Sequence, residues 1–159
     1  MGRQEDGRQK VVMNKVLFLC TGNYYRSRFA ELFFNYHAAQ RGLAWVADSR
    51  ALALELGVNN VGPISRYTVA GLQERGITLD GTHSLPQQVS EADLQEATLV
   101  IALDRTEHTP YVIERLPAWR DHIRYWEVAD LHLLTAVDAL TRIETQVLTL
   151  LDQLTTSGV

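Results

Sequence analysis

Cysteine is almost absent: Cys20 is the only one in 159 residues. A single thiol excludes an intramolecular disulfide, a cysteine-rich zinc site and an iron–sulfur cluster, and with them a disulfide-stapled secreted fold. Lysine is nearly as scarce. Lys10 and Lys15 are the only lysines among 15 basic residues, so the positive charge is almost wholly guanidinium, a better fork for oxyanions. The 19 acidic residues leave a formal charge of −4, which argues against a dedicated nucleic-acid partner. No run approaches the roughly 18 apolar residues of a membrane span, and residues 1–13 lack the apolar centre of a signal peptide. The expectation is a cytoplasmic chain with no membrane partner and no metal site, carrying a flexible tail over residues 1–13.

What remains is a chain with 46% apolar residues, enough to build one domain over residues 14–159. Residues 15–20 (KVLFLC) form a short apolar run typical of a strand buried on both faces. Phe29, Leu32, Phe33 and Tyr36 then recur at helical spacing ahead of Gly42, a suitable helix terminator. Further strands are expected at 43–48, at 98–103 and at 122–128. A short helix at 51–56, a helix capped by Ser65, a cap of Ser90 with Asp93, a helix over 107–116 and a long helix from about 135 fill the intervals. In that last helix Ala136, Leu140, Ile143, Val147, Leu151 and Leu154 share a face. Alternating strands and helices predict an α/β fold, a single three-layer domain with a central four-stranded parallel sheet flanked by helices. In such sheets, sites form at the C-terminal ends of strands.

The loop after the first strand reads Cys20-Thr21-Gly22-Asn23-Tyr24-Tyr25-Arg26-Ser27. Cys20 would end the strand and Ser27 would open the helix, so the residues between must curl tightly. Gly22 adopts positive φ freely, and Asn23 tolerates it better than most. Successive N–H groups in such a turn make an anion-binding concavity, reinforced by the positive end of the helix. The same field favours a thiolate. Arg26 returns a fork suited to two phosphoryl oxygens, and Ser27 can donate to sulfur. Taken singly, a buried Cys, a Gly-Asn turn and a surface Arg are ordinary; their joint placement is what points to nucleophilic chemistry on phosphorus.

The segment VLFLCTGNYYRSRFAE resembles the signature of the low-molecular-weight protein tyrosine phosphatases, roughly V-L-F-V-C-x-G-N-x-C-R-S-P-x-A-E. Cys20, Gly22, Asn23, Arg26, Ser27, Ala30 and Glu31 match it. The resemblance implies a nucleophile at Cys20, a phosphate clamp at Arg26 and a phosphate-binding loop of Thr21, Gly22, Asn23, Tyr24, Tyr25 and Ser27. Further along, VADSRALA places Ser49 beside that loop, ERGITLDGTHS places His83 at a supporting histidine, and LVIALDRTEH places Asp104 at the family's aspartate. YWEVADLHLL stands where the family carries its general acid in Asp-Pro, which assigns that role to Asp130; Asp121 and Glu127 are competing carboxylates. Three departures stand out. Tyr25 replaces a second cysteine. Arg28 replaces a proline and adds charge near the mouth. Leu131 replaces the proline after Asp130, with His132 and Leu133 in place of an aromatic pair, leaving Tyr24, Trp45 or Trp126 to supply an aromatic wall.

The implied activity is hydrolysis of phosphotyrosine or aryl phosphate monoesters through a phosphocysteine, without a cofactor. Its partner would be a tyrosine-phosphorylated protein or a small aryl phosphate. Two alternatives stay open at this level: a thiol-dependent arsenate reductase that relies on an external thiol, and a phosphate- or phosphoprotein-binding module with little turnover.

Overall fold

The computed structural model describes residues 12–131 and 133–156. Most of the expected tail, the last three residues of the expected domain and His132 lie outside them. Four strands, β1 (Asn14–Cys20), β2 (Trp45–Ala51), β3 (Leu99–Ala102) and β4 (Arg124–Tyr125), form one parallel sheet in the order β2-β1-β3-β4. The helices are α1 (Arg26–Arg41), α2 (Arg66–Glu74), α3 (Glu91–Glu96), α4 (Arg105–Arg115) and α5 (Ala136–Thr156). The three-layer α/β arrangement is the one the alternating pattern predicts.

β1 is the central element, and its period of two divides the core. Val16, Phe18 and Cys20 face a cluster with Phe29, Phe33, Phe34, Leu140, Ile143 and Val147 of α1 and α5. Leu17 and Leu19 face the opposite cluster, with Leu94, Val100, Val112 and Ile123. Such two-sided burial is why the run 15–20 is apolar without alternation. On α1 the stripe is wider than the expected one: Ala30, Phe34 and Ala38 are buried beside Phe29 and Phe33, whereas Tyr36 is exposed. A helix wedged between a sheet and a second helix must bury two adjacent faces.

Local hydrogen bonding moves several boundaries. Gly42 adopts φ 67°, and its N–H and that of Leu43 return to Ala39 and Ala38, so residues 43 and 44 close α1 and β2 starts only at Trp45. The strand then runs through Ala51, and the expected helix at 51–56 shrinks to a 3-10 turn, Leu54–Gly57. Ser65 caps α2 by accepting from Tyr67, and Ser90 forms a full capping box with Asp93, both as expected. α4 begins at Arg105 rather than 107, because the Asp104 side chain caps it through the Glu107 N–H, and the helix continues past Pro110. The strand expected over 122–128 contracts to two residues. No described helix is long and apolar enough to cross a membrane.

Phe33 is buried in the α1 face of the core, its ring stacked on Phe29 with centroids 5.5 Å apart. Phe33→Ala should therefore lower the unfolding free energy by about 3–5 kcal/mol, read by chemical denaturation; a change under ~1 kcal/mol would contradict this packing.

Candidate active site

The strand order makes a crevice at Cys20. β1 pairs with β2 on one side and β3 on the other, with Leu19 opposite Ala102, so the chain leaving β1 emerges where the connections diverge. It turns there and enters α1 at Arg26, one residue before the expected Ser27. Positive φ falls on Asn23 (53°), not on Gly22. Among the described residues, no backbone N–H from Thr21 through Arg28 donates to a protein acceptor. The carbonyls face the other way: those of Cys20, Thr21, Tyr24 and Tyr25 accept from Leu52, Ala53, Ser65 and Phe29. Tyr25 precedes the helix without a side-chain cap, so the N–H groups of its first turn have no capping acceptor.

Below the loop lies a relay of hydroxyls. The Sγ of Cys20 is 3.0 Å from the Oγ of Ser27. Asn23 donates from Nδ2 to Ser27 (3.0 Å) and to Ser49 (2.9 Å), and its Oδ1 accepts from the Gln87 N–H at 3.0 Å. Because Ser27 accepts from Asn23, its own hydroxyl hydrogen is free for a sulfur anion. Ser49 in turn donates to Glu31 at 2.5 Å, whose carboxyl burial pushes up against the opposing effects of that hydrogen bond and Arg28. Ser49, carried by β2, therefore supports Asn23. His83 is half-buried and makes no hydrogen bond to the loop among the described residues; the contact to Asn23 from that segment is the Gln87 backbone.

Arg26 is 3% exposed and reaches three groups. Its Nη1 and Nη2 donate to the two oxygens of Glu107 at 3.0 and 2.7 Å, and Nη1 donates also to the Val128 carbonyl at 2.8 Å. Asp130 lies 3.9 Å from Nη2 and faces the same cleft, whereas Asp121 and Glu127 are exposed elsewhere and do not line it. Glu107 and His108 escaped the sequence reading. Asp104 followed three residues later by Glu107 is capping spacing, and nothing in that spacing reveals that the carboxylate crosses to Arg26. Burial works against the Glu107 charge, but hydrogen bonds from His108, Arg26 and Thr21 prevail and hold its carboxyl far below the usual carboxylate range. His108, fully buried, is pushed down by burial, which outweighs the hydrogen bond to Glu107.

The cleft above the loop has a volume of about 810 Å³ and is lined by Cys20, Arg26, Asp130, Tyr24 and Tyr67 among others. Tyr24 is held by a 2.6 Å hydrogen bond to the Val61 carbonyl. Trp45 and Trp126 do not line it; Trp45 is buried at the start of β2, and Trp126 packs on Phe18 at 5.6 Å. Tyr67, displayed from the first turn of α2, is the aromatic the sequence reading missed. Tyr25 packs edge-on to it at 6.3 Å, and burial, aided by the Asp130 charge, pushes its hydroxyl up to about 12. Arg28 is not at the mouth: it is buried and donates to the Ser84 and Pro63 carbonyls.

The two depressed groups have a linkage consequence. Below its ordinary value of 6.5 His108 binds more protons unfolded than folded, and so does Glu107 below 4.5. Stability therefore rises with pH across each window. His108's share is complete above 6.5 and lost as pH falls below it, together with a contribution of the same sign from His37; Glu107's is complete above 4.5 and lost on further acidification. The melting temperature should fall in two stages below pH 7, the first blunted in H108Q and the second in E107Q; a flat wild-type profile from pH 7 to about 5 would oppose this.

Comparison with known proteins agrees with this geometry. Residues 15–156 match the family described as low molecular weight phosphotyrosine protein phosphatase. The Bacillus subtilis low molecular weight protein-tyrosine-phosphatase YfkJ is 39% identical over 93 residues, an alignment covering 58% of this chain and 57% of that relative. The crystal structure of YfkJ superposes with a TM-score of 0.76 at 29% identity, over 95% of this chain and 99% of that one. A low molecular weight protein tyrosine phosphatase from T. tengcongensis gives 0.70 at 27% identity, over 91% and 99%. The chain belongs to the low molecular weight phosphotyrosine protein phosphatase family.

Proposed function

We propose that this chain hydrolyses phosphotyrosine or aryl phosphate monoesters through a phosphocysteine formed on Cys20. The observation that carries the reading is the run of backbone N–H groups from Thr21 through Arg28 without acceptors among the described residues, in a loop that lines one cleft with Cys20 and Arg26. Fixed N–H groups and a guanidinium suit the charge on the equatorial oxygens of a transferring phosphoryl group. The Cys20 thiolate attacks phosphorus as the ester P–O bond breaks, and Asp130 gives its proton to the departing oxygen. Water then attacks phosphorus, the Asp130 carboxylate takes its proton, and the S–P bond breaks to release phosphate and restore the thiolate. Ser27, oriented by Asn23, steadies the sulfur anion as it leaves. The faces of Tyr24 and Tyr67 suit an aryl leaving group.

The family assignment does not favour the arsenate reductase reading, and Cys20 has no second thiol in the chain to resolve an adduct. A binding module would have no use for a carboxylate placed 3.9 Å from Arg26 at the open side of the cleft.

Cys20→Ser should lower hydrolysis of para-nitrophenyl phosphate by at least about 10³-fold while leaving inorganic phosphate binding measurable; near-wild-type turnover would overturn the mechanism. Asp130→Asn should lose about 10²-fold or more with poor leaving groups and much less with activated ones. Equal losses across a leaving-group series would remove Asp130 from the proton-transfer role.

A further inference from the structure

Glu107 stands at the third position of α4, whose N-cap is Asp104. An acidic side chain at that position ordinarily turns back to the N–H of the capping residue. Here the Asp104 N–H is taken instead by the Nδ1 of His108 at 3.0 Å. That bond makes Nδ1 an acceptor, so a neutral His108 carries its hydrogen on Nε2, which lies 3.2 Å from the Thr21 hydroxyl and 3.3 Å from Glu107. Released from the cap, the Glu107 carboxylate extends to the loop and accepts from the Thr21 hydroxyl as well as from Arg26. Thr21 follows the nucleophile and Arg26 ends the loop, so one carboxylate ties its two ends together.

We propose that Glu107 is a positioning residue that grips the Nη1–Nη2 edge of Arg26 and thereby presents the Nε–Nη2 edge to phosphoryl oxygens above Cys20. This rests on the phosphatase reading of the site. The donor inventory supports it. One Nη1 hydrogen goes to Glu107 and the other to the Val128 carbonyl, and one Nη2 hydrogen goes to Glu107. The two donors left, Nε–H and the second Nη2–H, lie side by side on a single edge of the planar guanidinium, the fork that matches two oxygens of a phosphoryl group. Glu107 acts as a brace and not as a plug: Cys20, Arg26 and Asp130 line the cleft, and Glu107 does not. The arrangement is intelligible as a means of fixing a side chain that otherwise keeps several rotamers.

The test uses the full chain as wild type, Glu107→Ala and Glu107→Gln. It reads kcat and KM for para-nitrophenyl phosphate, and calorimetric binding of inorganic phosphate and of vanadate, which becomes five-coordinate on bonding the Cys20 sulfur and so demands the tighter geometry. Glu107→Ala should lose about tenfold or more in kcat and in vanadate affinity, with KM and phosphate affinity changing by less than about threefold. Glu107→Gln, which keeps the volume and one acceptor, should fall between. In the wild type, vanadate should shift the Arg26 Nε–H resonance in NMR spectra, a readout independent of any variant. Tighter phosphate binding with faster turnover in Glu107→Ala would show a competitor for the anion and overturn the proposal, as would variants equal to wild type or an unmoved Nε–H resonance. A wild type that fails to hydrolyse the ester but binds vanadate in a Glu107-dependent way would remove the phosphatase reading and keep the brace.

Discussion

Among the described residues the backbone N–H groups from Thr21 through Arg28 have no protein acceptor, while the carbonyls of Thr21, Tyr24 and Tyr25 accept from Ala53, Ser65 and Phe29. A loop free to rearrange could fold these amides onto the nearest oxygens. The surroundings prevent that collapse. Leu52 and Ala53 take the Cys20 and Thr21 carbonyls at 2.8 and 3.0 Å, Ser65 takes that of Tyr24 at 3.0 Å, and the Thr68 hydroxyl takes that of Tyr25 at 2.9 Å. Each holds one peptide unit carbonyl-outward, and each comes from the segments after β2 or from α2. The orientation of these peptide planes is thus maintained by neighbouring elements of the fold.

Asn23 shows how the strain of this turn is met. A left-handed conformation in a residue with a Cβ costs of order 1–3 kcal/mol and persists only where several bonds enforce it. The Asn23 side chain is buried and makes three such bonds, to Ser27, Ser49 and the Gln87 backbone. The same bonds aim the Ser27 hydroxyl at sulfur. Local strain and the orientation of the Ser27 hydroxyl therefore share one set of contacts.

Of the departures from the family pattern, Tyr25 and Leu131 line the cleft, whereas Arg28 lies in the scaffold. Arg28, in place of a proline, ties the first turn of α1 to the carbonyls of Ser84 and Pro63, the two connections flanking the cleft. Tyr25, in place of a cysteine, fills space against Tyr67. Both side chains are buried, and Tyr25 also lines the cleft.

What the sequence by itself determined rests on quantities local to the chain. The apolar run before Cys20, the caps at Ser65 and Ser90, the spacing of Leu140, Ile143 and Val147, and the residue types from Cys20 to Ser27 depend on neighbours a few positions away. They sufficed for the four-stranded α/β fold and for a tight turn between Cys20 and the first helix. Tertiary structure decided the rest. Gly42's closing bonds moved β2, and packing between sheet and α5 widened the buried face of α1. Arg28 turned inward, and Tyr67 replaced the tryptophans at the cleft. Glu107 meets Arg26, 81 positions earlier in the chain, because β3 pairs beside β1 and because His108 takes the cap N–H that would have held that carboxylate at home. Strand order and competition for one hydrogen bond are properties of the assembled fold, and no period or motif encodes them.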